Sequence, residues 1–173
     1  KFEDITDKAG LQTKQWCTGG SVVDINCDGF LDVYVCVSHS NKSEKRKNLL
    51  FINDGKLNFS EQAESYGLAD TGYATQAAFF DYDKDGDLDM LLLNHNPKNL
   101  PLLNETGTAE LFKQDSPEKG LRLFNQTNGK FADVTTTSGI NGSELSYGLG
   151  LGISDFNEDG WPDFYVSNDY SVP

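Results

Sequence analysis

Positive charge is scarce in this sequence. Among 173 residues, 14 Lys and Arg stand against 27 Asp and Glu, a net charge of −13. That balance argues against nucleic acid or an anionic lipid surface as a partner. No run of 18 apolar residues occurs, so no stretch reads as a membrane-spanning helix and no direct membrane insertion is expected. Histidine is limited to His39 and His95, with no Ser/His/Asp or Cys/His arrangement to suggest nucleophilic catalysis. Cysteine is limited to Cys17, Cys27 and Cys36, and an odd number leaves at least one unpaired within the chain. Cys17 and Cys36 lie on the two arms of one expected hairpin and could meet. No secretory leader is visible. The sequence opens at Lys1 inside a repeat, so a leader is expected to lie outside these residues.

What the chain has in abundance is Asp in a fixed pattern. The nine residues from Asp81 to Asp89 read D-x-D-x-D-G-x-x-D, and related copies run from Asp24 to Asp32 and from Asp155 to Asp163. Oxygen-bearing side chains stand at positions 1, 3, 5 and 9 each time: Asp24, Asn26, Asp28 and Asp32; Asp81, Asp83, Asp85 and Asp89; Asp155, Asn157, Asp159 and Asp163. Gly occupies position 6. A hard cation such as Ca²⁺ takes six to eight oxygen ligands, and alternate residues of a tight loop can supply them. The backbone carbonyl of position 7 (Phe30, Asp87, Trp161) is expected to add one more. A plain D-G hairpin turn would need two special residues, not five repeated three times. Without a cation, each loop crowds like charges together. Ca²⁺ suits the set better than Zn²⁺, because His and Cys are not consistently supplied. Three such ions would bring the net charge from −13 to −7.

These loops are not EF-hands. An EF-hand closes with a bidentate Glu at position 12, whereas position 12 here is Val35, Leu92 and Val166. The flanks are short, apolar and partly β-branched or aromatic, as in Val33 to Val37 and Met90 to Leu93, so they read as buried strands. Each loop is therefore expected at the tip of a hairpin.

The repeat extends beyond the loops. Phe2, Phe59 and Phe131 precede the first Asp of each loop by 22, 22 and 24 residues. Ala9-Gly10-Leu11, Tyr66-Gly67-Leu68 and Ser138-Gly139-Ile140 follow them. Trp16, Tyr73 and Tyr147 stand eight residues before the same Asp, and are expected to pack between units. A third strand is expected at Leu49 to Asn53 and again at Leu121 to Asn125, followed by turns at Asp54-Gly55 and Asn128-Gly129. One unit is thus four antiparallel strands, with a period of 57 and then 74 residues. Such a unit cannot bury both faces alone and stacks on its neighbours. The fold class is all-β, a β-propeller of four-stranded blades.

The whole of 1–173 is expected to be part of one propeller domain. Residues 1–6 would be the last strand of a preceding blade, 16–63 a blade, 73–135 a second blade with an insertion at 95–120, and 147–173 the first half of a further blade. The insertion, with Pro97, Pro101 and Pro117, reads as a surface loop at the end opposite the Asp loops. Five N-x-S/T sequons, at Asn41, Asn58, Asn104, Asn125 and Asn141, permit glycosylation; Asn125, at a strand end, is the least suited.

The three Asp loops, the Tyr147-Gly148 pair before the third, and the stretch Asp155 to Tyr170 resemble the FG-GAP/VCBS repeat superfamily, over nearly the whole chain outside 95–120. Cartilage acidic protein, ASPIC/UnbV-type proteins and the integrin α propeller look most similar. The first two repeats depart from the Phe-Gly pair, with Trp16-Cys17 and Tyr73-Ala74. The resemblance implies seven blades, Ca²⁺ in the hairpin loops, and an extracellular or cell-surface protein, outer-membrane-associated if bacterial. Millimolar extracellular calcium suits weak modular sites of roughly 10⁻⁴–10⁻³ M. The expected role is a non-catalytic module, alone or as a subunit of a larger surface complex, binding a protein or glycan through residues at the ends of second strands (His95, Asn168, Asp169, Tyr170) or through the insertion. The alternative is a calcium-dependent polysaccharide lyase or hydrolase.

Overall fold

The computed structural model describes residues 1–98, 100 and 103–169. Among these described residues, ten strands form three antiparallel sheets. The first holds β1 (Cys17–Val23), β2 (Asp32–Val37), β3 (Leu49–Asn53) and β4 (Phe59–Glu61) in meander order. The second repeats it with β5 (Ala74–Phe80), β6 (Asp89–Asn94), β7 (Arg122–Thr127) and β8 (Lys130–Asp133). The third is the pair β9 (Gly148–Ser154) and β10 (Asp163–Asn168). The first two are four-stranded blades of propeller type, and each Asp loop joins the first two strands of its sheet.

Consecutive blades stack face to face. Tyr34, Cys36 and Leu50 of the first blade pack with Ala77, Met90, Leu92, Phe124 and Phe131 of the second. Leu91, Leu93 and Leu123 on the other face meet Leu151, Ile153 and Val166 of the third. This explains the unbroken apolar run Met90 to Leu93: β6 is buried on both faces, so alternation is lost. Inner strands are also tied by hydrogen bonds: Thr18 Oγ1 donates to Ala74 O at 2.7 Å and Ser21 Oγ to Ala77 O at 2.6 Å.

The repeated Phe segments acquire a meaning that the sequence did not reveal. After each comes a single helical turn: α1 (Thr6–Ala9), α2 (Ala63–Tyr66), and a third at Thr135–Ser138. An acid two residues earlier (Asp4, Glu61, Asp133) accepts the first helical N–H at 2.8–2.9 Å. A left-handed Gly ends each turn. Gly10 and Gly67 also press against the next blade: a Cβ on them would lie 2.6 Å from Phe59 O and 2.5 Å from Phe131 O.

Residues 1–5 are in no strand; a strand there would pair with the third strand of a preceding blade, which is not among these 173 residues. Three other expectations are corrected. The third strands align one residue differently, because Val33 pairs with Phe51 while the equivalent Met90 pairs with Phe124. Phe124 thus matches Phe51, Asn125 matches Ile52 and Gln126 matches Asn53. The insertion is no plain loop. It carries a helix at Glu105–Phe112, begun by the Asn104 side chain accepting the Gly107 N–H at 2.8 Å. Buried Arg122 holds its Asp115 in a bidentate ion pair, and Glu118 lies 3.2 Å from Arg46 of the first blade. The three cysteines are all free; Cys17 faces Val37 across the ladder and Cys36 faces Gly19, so the pair does not meet.

Candidate metal centre

Each Asp loop is wound by its own backbone. In the first, the Asp24 carboxylate accepts N–H groups from Asp28 at 3.0 Å and Gly29 at 2.9 Å. Asp81 does the same for Asp85 and Gly86, both at 3.1 Å, and Asp155 for Asp159 at 3.1 Å and Gly160 at 2.7 Å. Asn26, Asp83 and Asn157 at position 3 also accept the position-5 N–H. Asp28, Asp85 and Asp159 accept that of Phe30, Asp87 and Trp161. The bend needs left-handed residues at two places. Gly29, Gly86 and Gly160 supply one, with φ of 88°, 95° and 85°. Cys27, Lys84 and Glu158 at position 4 supply the other, with φ of 57°, 62° and 61°, which the sequence pattern did not announce.

Position 9 opens the second strand and ties the loop to the sheet. Asp32 accepts the Ile25 N–H at 3.1 Å and the Asn53 N–H at 2.8 Å. Asp89 likewise accepts from Tyr82 at 3.1 Å and Gln126 at 2.8 Å, and Asp163 from Phe156 at 2.9 Å. Asp32 and Asp89 are both fully buried. Burial pushes the Asp89 carboxyl up to about 6; the Gln126 and Tyr82 N–H groups pull it down, and Asp83 and Asp85 push it up further. Asp32 is raised for the same reasons, burial first, with Asp28 and Asp24 adding to it.

The second loop is the most acidic. One carboxylate oxygen from each of Asp81, Asp83 and Asp89 lies within 4.8 Å of the others. Among the described residues, the carbonyls of Phe30, Asp87 and Trp161 accept no hydrogen bond. The structure thus brings carboxylates and an uncommitted carbonyl to each hairpin tip. This oxygen-only set, partly buried and short of counter-charge, fits a hard dication. Residues 24–92 match the family model described as an FG-GAP-like repeat, from the first Asp of loop one into β6. That stretch resembles the FG-GAP-like repeat family. A search of curated proteins finds no match to the chain.

Within the FG-GAP-like unit, sequence reasoning missed the residues that hold the loops from the side. In the first and third loops the position-3 Asn turns its amide to the position-5 carboxylate, at 2.9 Å in both. The second loop has Asp83 there, with no such donor. Asn125 of β7 brings an amide from the side, donating to Asp83 at 3.0 Å and Asp89 at 3.3 Å. Blade one has Ile52 at that place. Lys84 also lies 4.1 Å over the Trp161 ring, linking the second and third loops. The signal was present in the third-strand sequence, but the one-residue misalignment hid it.

The other expected contact residues stand at the opposite end. The carbonyls of Trp16, Tyr73 and Tyr147 accept the N–H of Ser38, His95 and Asp169, closing the open end of each hairpin. Asn168 ends the β9–β10 ladder. Tyr170 lies outside the described residues. Tyr73 packs on Arg46 at 4.0 Å and Tyr147 on His95 at 5.4 Å, both across blade junctions.

Proposed function

We propose that the chain is a calcium-bearing, non-catalytic propeller module of an extracellular or cell-surface protein, serving to bind a protein or glycan partner. The convergence of Asp81, Asp83 and Asp89 carries the metal part of this reading. Asp24, Asn26, Asp28, Asp32 and the Phe30 carbonyl would hold the first ion. Asp81, Asp83, Asp85, Asp89 and the Asp87 carbonyl would hold the second, and Asp155, Asn157, Asp159, Asp163 and the Trp161 carbonyl the third. Bound calcium supplies the positive charge that lets these carboxylates lie together. The chain's own part is to present them, through the loop backbone and the β2 and β6 ladders. Because position 9 bonds both the loop and the third strand, an ion there would clamp three strands of a blade.

A structural rather than catalytic role is supported by where the acids point. The repeated carboxylates are engaged with their own loop backbones, and both histidines stand at the other end of the strands, about 20 Å away. Calcium titration by calorimetry tests the reading. The expected result is about three sites; absence of heat and of bound calcium at millimolar concentration would overturn it.

A further inference from the structure

At the end away from the Asp loops, the first two blades enclose a cleft of about 480 Å³. That size is ordinary for a small-molecule site. The first blade contributes Trp16, which stacks on His39 with ring centroids 4.7 Å apart. His39 holds a left-handed φ of 65°, a conformation that non-glycine residues adopt rarely. The second blade contributes Tyr73 and His95. Both histidines of the chain therefore line one cleft.

Thr18, Ser40 and Thr75 of this cleft are already hydrogen-bonded, and five other polar side chains are available. Among the described residues, no hydrogen bond engages the side chains of Ser38, His39, Asn41, Tyr73 or His95. Among the described residues no Asp, Glu, Lys or Arg lines it, in a chain with 27 acids. The nearby cation is already committed: Arg46, stacked on Tyr73, donates to Ser40 O at 2.6 Å and Thr71 O at 2.9 Å and pairs with Glu118. A charged ligand would find no counter-charge. A wholly apolar one would strand the hydroxyls, amide and imidazoles. A ligand with apolar C–H faces and many hydroxyls matches both the aromatic faces and the polar rim.

We propose that this cleft binds an uncharged oligosaccharide, with Trp16 and Tyr73 as stacking faces and Ser38, Asn41 and the two histidines as hydrogen-bonding partners. The proposal deepens the binding-module reading above by naming a site and a ligand class. The test is calorimetric titration of the calcium-loaded chain with uncharged hexasaccharides of glucose, xylose and N-acetylglucosamine in α and β linkage, with oligogalacturonate as the acidic arm. At least one uncharged hexasaccharide is expected to bind, and Trp16→Ala and Asn41→Ala, both at exposed positions, to retain the melting temperature while Trp16→Ala weakens binding about tenfold or more. Binding of none of them, binding of oligogalacturonate alone, or unchanged affinity in Trp16→Ala overturns the assignment. Melting with and without calcium on the same samples separates the two readings. Calcium stabilisation without sugar binding overturns only the cleft. Sugar binding without calcium stabilisation supports the cleft and overturns the metal.

Discussion

Asn125 of β7 donates its side-chain amide to the Asp83 carboxylate at 3.0 Å. It thereby brings to the second loop an amide donor, which the first and third loops carry at their own position 3, though aimed at positions 3 and 9 and not at position 5. The extra acid in the loop and the extra amide on the third strand are one change distributed over two strands. Partners behind metal ligands typically alter affinity ten- to a hundredfold when removed. Asn125→Ala is therefore expected to weaken one calcium site by about tenfold and leave two unchanged, read by calorimetry. Uniform weakening of all sites, or of none, would contradict this.

Removal of calcium should lower the melting temperature. An ion at ten times its dissociation constant stabilises the fold by about 1.4 kcal/mol per site, which corresponds to roughly 3–6 °C each for a chain of this size. EDTA is expected to cause a drop of that order per site, reversed by calcium and not by equal ionic strength of sodium. Asp85→Ala should remove the share of a single site.

Gly67 and Gly139 test the blade junction. Both have positive φ, 80° and 82°. A Cβ at Gly67 meets Phe131 O at 2.5 Å, whereas one at Gly139 meets nothing within 4 Å. Alanine at either position costs the left-handed strain, about 1 kcal/mol. Gly67→Ala is expected to cost a further 1–3 kcal/mol, about that of an overpacked contact. Urea unfolding of the two variants measures the difference, and equal losses would remove the junction argument.

The cysteines should divide two to one. Cys17 and Cys27 are exposed, while Cys36 is buried between blades. Burial pushes its thiol up to about 12, with Asp70 adding to the effect. Ellman's reagent is expected to titrate two thiols in the native protein and the third only on unfolding. Three rapid thiols would show that the junction between the first two blades opens readily.

Asp70 supplies a pH dependence away from the loops. Burial raises its carboxyl above the usual range, against the Gly72 N–H and Arg122, while Asp133 and Glu118 raise it further. The folded state therefore holds this proton more tightly than the unfolded chain. The associated stability is fully present below the unfolded value near 4 and is lost as pH rises through the folded value. Asp70→Asn should gain on the parent protein as pH rises from 4 to 7, followed by chemical unfolding in saturating calcium. A constant difference would mean that Asp70 titrates normally.

The Asp loops were legible because their information is local: nine consecutive residues contain the ligand types, the Gly and the flanking strands. Position 4 was not, since Cys27, Lys84 and Glu158 share no chemistry and are united only by a left-handed φ. The short helical turns escaped notice because Thr135-Thr136-Thr137-Ser138 carries little helical propensity. Their reason is the capping acid and the left-handed terminal Gly, which in the first two turns is also pressed onto the next blade.

Spacing of Asp, Gly and aromatic residues along one chain was enough for the hairpins, the four-strand unit and the oxygen clusters, because each rests on neighbours within a few residues. Which third-strand residue reaches Asp83, and which residues of two blades share the cleft beneath Trp16 and Tyr73, depended on ladder register and blade stacking. Those are set by burying Met90 to Leu93 on both faces at once, a condition that no short stretch of sequence contains.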